Sequence, residues 1–230
     1  MLLLNLINKM NRFIKNYNFI LLVFILSILT YLSNNVIFNN NLMYDSYINN
    51  LSLEQIQEII NLKNKWEWLS YAIIPLILLI KISLIASVIY IGAFFYSKVK
   101  VTFRQLFNEI VKAEYVFLGV GVLKIIWFYF FQTNYTLEDL QYFYPLSALN
   151  IVGYKGIDAW FIYPLQTLNL FELAYWFLLS YYIGKITSPT GKIENNKYPV
   201  DFGLKIVASS YGSALLLWVV VVMFFTLNYS

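Results

Sequence analysis

Cysteine and histidine are absent from the 230-residue chain, and charged side chains make up only 12% of it. The absence of cysteine excludes disulfides and thiol nucleophiles, and the absence of histidine removes imidazole metal ligands and the usual proton shuttle near neutral pH. Serine–histidine and cysteine–histidine catalysis are excluded with them. Glycine-rich phosphate loops and zinc-helix motifs are also missing. We therefore expect neither an enzyme nor a protein that needs a cofactor.

Hydrophobic residues dominate what the chain does contain. They make up 60% of it, whereas an ordinary soluble domain is about 45–50% apolar. This composition predicts an integral membrane protein. A chain of this length has room for several spans with short connections and no separate soluble domain, so we expect a single membrane domain over residues 1–230.

Apolar stretches long enough to cross a bilayer occur five times. Amphipathic segments precede and follow the second stretch, and Trp66 and Trp68 lie where indoles prefer the water–lipid boundary. The pattern predicts an all-α integral membrane protein with five transmembrane helices and short amphipathic interfacial helices. The expected spans are about 18–33, 69–97, 114–131, 160–184 and 206–227.

Side-chain caps predict two helix starts outside these spans. Ser52 with Gln55 has the spacing of a capping box, and Thr136 with Asp139 indicates a helix start. Turn-forming residues follow the second start, so we expect a folded loop between the third and fourth spans. These residues are Pro145, Gly153 and Gly156.

The fifth span opens with small residues spaced four apart. Ala208 with Gly212 and Ser210 with Ala214 are two such pairs. In lipid, small side chains at this spacing let two helix backbones approach closely. We expect this part of the span to pack tightly against another helix.

Basic residues are distributed unevenly between the connectors. Eleven of the sixteen lysines and arginines fall in the N-terminal segment or in the connectors 98–112 and 185–205, and three fall in the other connectors. Basic residues mark the cytoplasmic side of a membrane protein. The distribution predicts a cytoplasmic N-terminus and, across five spans, a C-terminus outside.

The remaining two cations, Lys81 and Lys124, lie inside predicted spans, as does Glu172. At ~1.5 Å rise per residue all three reach a similar depth, about 15–18 Å into their spans. We expect an ionic cluster near the bilayer midplane, since a shared carboxylate reduces the cost of burying two ammonium groups. The cluster is either a structural clamp or part of a path for an ion, a proton or an anionic headgroup, unless the lysines extend outward to the interface.

The connector before the third span predicts a basic cytoplasmic face. Its apolar side chains recur at helical intervals, and its polar side chains, Glu109 included, take the opposite side. Such a face either docks a cytosolic partner or acidic lipid, or only reflects topology. We expect Glu114 to pair with Lys112 or Lys205. The basic side chains are Lys98, Lys100, Arg104 and Lys112.

Five spans and a basic amphipathic connector before the third resemble the Yip family of five-span membrane proteins. The local text is similar to its bacterial members in three places, VTFRQLFNEIVKAEYVFLG, FYPLSALN and LNLFELAYWFLLSYYIGK. The resemblance implies a bacterial plasma-membrane protein and carries over no catalytic residues. Eukaryotic members bind Rab-type GTPases through a long cytosolic N-terminal region. We see no such region before the first span, so we do not expect GTPase binding.

These features lead to two competing functional hypotheses. The first is a non-enzymatic, Yip-like scaffold or adaptor that assembles with membrane lipids and with another membrane protein. The alternative is a permease-like transporter subunit with Lys81, Lys124 and Glu172 along its path. A lipid-modifying enzyme comes third, because it needs a nucleophile or a metal site. Nucleic acid is not an expected partner.

Overall fold

A computed structural model describes residues 2–97, 99–188 and 199–229, with side chains from residue 17 onward except at 199. Within these ranges every regular element is a helix, which confirms the all-α class. The helices are α1 (Leu2–Val36), α2 (Asn40–Tyr47), α3 (Leu53–Tyr96), α4 (Phe103–Glu114), α5 (Leu118–Ile126), α6 (Leu137–Tyr142), α7 (Ala148–Val152), α8 (Ala159–Thr167), α9 (Leu170–Thr187), α10 (Pro199–Val207) and α11 (Ser213–Tyr229).

Four helical stretches of the described residues are long and apolar enough to cross a membrane. They contain the first, second, third and fifth predicted spans. A 3₁₀ turn (Tyr115–Phe117) links α4 to α5, and π-helical turns (Trp127–Phe131 and Ala208–Gly212) follow α5 and α10. The four stretches are Tyr17–Val36, Leu53–Tyr96, Phe103–Phe131 and Val200–Tyr229.

The second of these helices is longer than predicted. We expected a short amphipathic helix, a boundary at Trp66 and Trp68, and then a separate span. The structure instead has one 44-residue helix, α3. No glycine or proline lies between Leu53 and Ile74 to interrupt it. Its length is about 66 Å, more than twice the ~30 Å hydrocarbon core.

The fourth predicted span, residues 160–184, is not one helix. It is divided into α8 and α9 at Leu168 and Asn169. The side chain of Asn169 accepts a hydrogen bond from the Glu172 backbone N–H at 2.7 Å and so caps α9. Pro164, inside α8, further weakens the helix because it supplies no backbone donor. The count of five membrane-crossing helices therefore stays a prediction.

The backbone groups freed at this break are paired with the loop before α7. The Ala148 N–H donates to the Leu168 carbonyl at 2.9 Å, and the Leu170 N–H donates to the Leu146 carbonyl at 3.2 Å. Unpaired backbone groups are costly in an apolar setting. The loop therefore compensates for the interruption that α8 and α9 create.

Side-chain caps define the helix starts between the long helices. The predicted helix start at Thr136 and Asp139 is present, and these two residues form a capping box that opens α6. The predicted pair at Ser52 and Gln55 exchanges hydrogen bonds of 3.0 and 3.3 Å and opens α3. Both predictions are confirmed, because capping depends only on residues three apart.

By its internal contacts the chain divides into two compact units. Fully buried aliphatic side chains of α3, α4 and α9, such as Ile82, Leu106 and Leu179, form the core of the first. The second has its own core, which includes Ile56 and Leu149. The first unit is Met1–Ile25, Leu78–Val116 and Leu173–Trp218, and the second is Leu26–Ile77, Phe117–Glu172 and Val219–Ser230.

Helices in the first unit approach closely at small residues. A Cβ added to Gly92 would lie 2.7 Å from the Cβ of Ser210, which supports the tight packing expected where the fifth span begins. A second close approach is at Gly203, in α10. A Cβ there would collide with the carbonyl oxygen of Ser180 and lie 2.7 Å from the backbone nitrogen of Gly184, both in α9.

Candidate functional site

The carboxylate that the structure gives to Lys81 is Glu114. The Lys81 Nζ lies 2.7 Å from the Glu114 Oε2, so the pair joins α3 to α4 within the first unit. The Lys81 ammonium also lies 5.8 Å from the ring centroid of Tyr175, in α9. The predicted pairing of Glu114 with Lys112 or Lys205 is wrong, because Glu114 pairs across to Lys81 in α3 and Lys112 pairs with Glu109.

The Glu114 carboxylate is almost completely buried and only half satisfied. Its side chain is 2% exposed, whereas the Lys81 side chain is 42% exposed. Within the described part of the chain, the second oxygen, Oε1, is buried and has no hydrogen-bond partner. A buried charge is tolerated only when it is paired. The stability of this carboxylate therefore depends on Lys81.

A second ion pair lies along α4. The Lys112 Nζ is 2.6 Å from the Glu109 Oε2, and the ammonium lies 5.5 Å from the ring centroid of Tyr182. Glu109 is buried, so its predicted place on the solvated face of this helix is wrong. The reason is its pairing with Lys112, which neutralises the carboxylate where other residues cover it.

The lysines of both ion pairs contact aromatic rings of the same helix, α9. Tyr175 and Tyr182 are seven residues apart in α9, which puts them on one face about 10.5 Å apart along the axis. Each ring lies beside a lysine that already holds a carboxylate of α4. Cation–π contacts of this kind add about 0.5–2 kcal/mol each. The arrangement fastens α9 to α3 and α4.

The contacts of Lys124 are in the second unit. Its Nζ donates a 2.6 Å hydrogen bond to the carbonyl oxygen of Leu140, near the C-terminus of α6. A cation at a helix C-terminus is favourable because the last carbonyls lack helical partners. Lys81 belongs to the first unit, and Glu172 belongs to the second with Lys124. The midplane cluster of Lys81, Lys124 and Glu172 stays a prediction.

The structure describes three of the four residues of the predicted basic face. Lys100 and Arg104 are exposed. Lys112 instead turns to Glu109 and is only half exposed. Lys98 lies outside the described residues. The basic surface that remains for lipid or a partner is thus the start of α4 and the residues before it.

Residues 132–159 of the second unit, which we call the outer connector after their predicted side of the membrane, line a cavity of about 240 Å³. Four of its nine lining residues are aromatic, and they lie in α6, in the loops that follow α6 and α7, and in the π-helical turn. Asn150 and Gly153, in and after α7, lie at its edge. Gly153 has a φ of 83°, a conformation that favours glycine. The aromatic residues are Trp127, Tyr142, Phe143 and Tyr154.

Asp139 is the charged group of this cavity. The Thr136 backbone N–H and hydroxyl each donate to its Oδ2 at 2.9 Å, and the Tyr154 hydroxyl donates to its Oδ1 at 2.8 Å. Burial raises the pKa of Asp139, but these hydrogen bonds and the charge of Lys155 together lower it below its ordinary value. Burial and the bond to Asp139 raise the pKa of Tyr154 to about 12.

The charged groups described here are held in ion pairs and hydrogen bonds within the chain. Within residues 2–97, 99–188 and 199–229, no three acidic side chains come together to hold a metal ion. Both carboxylates of α4 are neutralised by lysines. Sequence reasoning missed Glu114 as the partner of Lys81 and missed the cavity. The signal for the pairing of Lys81 with Glu114 was that the chain turns back after Tyr96, so that α4 runs antiparallel to α3.

Comparison of the chain with protein-family models, with curated proteins and with solved structures finds no match. The resemblance to the Yip family therefore stays a prediction from the sequence. The geometry of the site has to be interpreted from its own residues.

Proposed function

We propose that this chain is a non-enzymatic multi-pass membrane scaffold or adaptor of the Yip type. It lies in a bacterial plasma membrane with its N-terminus in the cytoplasm and its C-terminus outside. It assembles with membrane lipids and with another membrane protein. The four long apolar helices support the membrane location.

One observation carries the proposal. Three lysines of the long apolar helices are each held by a group of the same chain. Lys81 is held by Glu114, Lys112 by Glu109, and Lys124 by the Leu140 carbonyl. Ionisable side chains on a transport path exchange partners with a passing ion or proton. Ion pairs anchored on aromatic rings instead fix the packing of helices, which is what a docking platform requires.

The half-satisfied carboxylate favours a second candidate function. The buried Oε1 of Glu114 is a site where a proton could bind, and a permease-like subunit would use such a group. In that case Lys81 would release Glu114 during each cycle. The two functions differ in what they require of Lys81 and Glu114. A permease requires their charges, whereas a scaffold requires only their packing.

The test replaces the pair as a unit. Lys81→Met with Glu114→Met keeps the volume and removes both charges, a change that buried ion pairs often tolerate. Wild type and the double variant are purified from membranes in mild detergent and also reconstituted into vesicles that contain a pH-sensitive dye. We expect a stoichiometric membrane-protein partner with both proteins and no proton flux with either. Absence of a partner, together with flux that the double variant abolishes, would establish the permease.

A further inference from the structure

The cavity of the outer connector has no role in the scaffold, and its chemistry indicates a ligand. It lies entirely within the second unit, between α6, α7 and the end of the third predicted span. Its volume, about 240 Å³, is below the ~300 Å³ at which sites for drug-sized molecules begin. An occupant is therefore a small ion or the headgroup of a larger molecule.

Two tyrosine rings pack on each other and form part of the cavity wall. The rings of Tyr142 and Tyr154 have centroids 4.9 Å apart and are tilted by 35°. The indole of Trp127 is stacked against Phe143 and Phe131, with centroids 5.4 Å away in both cases. Both tyrosines line the cavity, so an occupant contacts this pair of rings from the cavity side. The negative face of an aromatic ring attracts a cation within about 6 Å.

The charge of the cavity wall also favours a cation. The Asp139 carboxylate lies in the wall, and Glu138 is its neighbour in α6. The carboxylate of Asp139, the charged side chain of this wall, disfavours a phosphate or another anion. Three hydrogen bonds from within the chain already reach Asp139. Its charge therefore attracts an occupant that needs no hydrogen bond of its own, as an alkylated ammonium does.

The chain already supplies one ammonium to this site. The Lys155 Nζ lies 5.7 Å from the ring centroid of Tyr154, and its charge helps to lower the pKa of Asp139. Lys155 is exposed and does not line the cavity. It shows that an ammonium is accepted beside this tyrosine and this carboxylate, and it competes with any cation that enters.

The edge of the cavity leaves room for entry. A Cβ added to Gly153 would meet no atom within 4 Å. The side chain of Asn150 is exposed at the same edge. An occupant can therefore reach the tyrosines without displacing a buried side chain.

We propose that this cavity binds a small organic ammonium ion, supplied either free in solution or as the headgroup of a lipid. Tyr142 and Tyr154 provide the aromatic faces and Asp139 provides the charge. The proposal is independent of the scaffold function, because every residue that it uses lies in the outer connector.

The first experiment measures tetramethylammonium binding to the full chain, purified in a neutral maltoside detergent, by calorimetry. In a constant background of sodium chloride, we expect saturable binding of tetramethylammonium. We expect no binding when sodium phosphate is titrated in its place. Tyr142→Leu should weaken binding about tenfold, and Tyr142→Phe, which keeps the ring, should leave it within about twofold. Lys155→Met should strengthen it two- to fivefold, because a competing like charge is removed.

The Lys155 variant keeps the test decisive if Tyr142→Leu fails to fold, since Lys155 is exposed and its replacement leaves the wall intact. Absence of tetramethylammonium binding by wild type overturns the proposal. So does binding of phosphate in its place, a loss of affinity in Lys155→Met, or equal affinities of folded Tyr142→Leu and Tyr142→Phe.

A second arm separates the two sources of the ammonium. The chain is placed in nanodiscs of phosphatidylglycerol alone, or of phosphatidylglycerol with phosphatidylcholine. A lipid headgroup in the cavity predicts at least fivefold weaker tetramethylammonium binding in the choline-containing discs. Equal affinities in both discs assign the site to a free ammonium. Failure to bind in either disc contradicts the proposal and leaves the scaffold function unaffected.

Discussion

The burial of Lys81 and Glu114 is unequal, and this decides what each residue contributes. Glu114 is almost fully covered, whereas two-fifths of the Lys81 side chain is exposed. A lysine that loses its partner can move its ammonium along the flexible stem toward a more polar region. A covered carboxylate has no such escape. The pair is therefore more sensitive to loss of the lysine than to loss of the glutamate.

We predict that Lys81→Met costs about 3–5 kcal/mol of unfolding free energy, since it leaves Glu114 buried and unpaired. Glu114→Met should cost less, and the double variant should lie close to wild type. Reversible unfolding in mixed detergent micelles, followed by circular dichroism, measures the three variants. An equal cost of the two single changes, or a double variant as unstable as Lys81→Met, contradicts this ordering.

The pair of Asp139 and Tyr154 predicts how the outer connector responds to pH. The lowered pKa of Asp139 means that its contribution is complete above the ordinary carboxyl pKa and is lost as pH falls through the lowered value. The raised pKa of Tyr154 gives a contribution present below the ordinary phenol pKa and lost as pH rises toward about 12. Between these limits the connector should be insensitive to pH.

Tyr154→Phe tests this dependence because it keeps the ring and removes the hydroxyl that bonds to Asp139. We expect the acid loss of stability to move to higher pH, since the Asp139 carboxylate loses one donor, and the alkaline loss to shrink. Melting temperature in detergent from pH 3 to pH 11 is the measurement. A variant whose profile overlays that of wild type at both ends would show that the pair carries no linkage.

At the scale of helices, close contact is concentrated where α10 crosses α9. Gly203 is pressed against the backbone of Ser180 and Gly184, so neither neighbour can move aside by changing a rotamer. Gly121, in α5, is different. A Cβ added there would lie 3.4 Å from the end of the flexible Leu29 side chain. The two glycines give a matched pair in helices of the same chain.

We predict that Gly203→Ala destabilises the protein by about 1–3 kcal/mol through overpacking. Gly121→Ala should be neutral or stabilising by up to about 1 kcal/mol, because alanine is the better helix former. The same micelle unfolding measures both. If Gly203→Ala gains stability as Gly121→Ala does, the close crossing of α9 and α10 does not exist in the membrane.

Helix starts were predictable from sequence, and helix interruptions were not. The boxes at Thr136 and Ser52 depend on residues three positions apart, so local chemistry identifies them. The division of α8 from α9 depends on Leu146 and Ala148, about twenty residues away, which accept and donate the freed backbone bonds. Without knowledge of that pairing, the apolar residues 160–184 are predicted to form one span.

At the scale of the whole molecule, the number of crossings decides where the C-terminus lies. Five crossings separate the two termini, and four bring them to the same side of the membrane. Because the chain contains no cysteine, single cysteines can be introduced and labelled without first removing native ones. Residues on both predicted sides, and near both ends, are available for this.

We predict that an impermeant maleimide labels Asn150→Cys and Asn228→Cys in intact spheroplasts. It should label Lys100→Cys and Asn11→Cys only after the membrane is permeabilised. This follows from the excess of basic residues in the N-terminal segment and in two connectors. Labelling of Asn228→Cys on the same side as Asn11→Cys would mean that α8 and α9 together do not cross, and that four helices do.

Composition and local pattern by themselves determined that the chain is helical and apolar, where four of its long helices lie, and how α3 and α6 begin. These properties follow from neighbouring residues and from the balance of apolar and charged groups. Only the tertiary structure decided that Lys81 meets Glu114, that Glu109 is buried, and that an aromatic cavity forms around Asp139. The physical reason is that the partner of a buried charge is set by proximity in space, and the partner of Glu114 is 33 residues away in sequence.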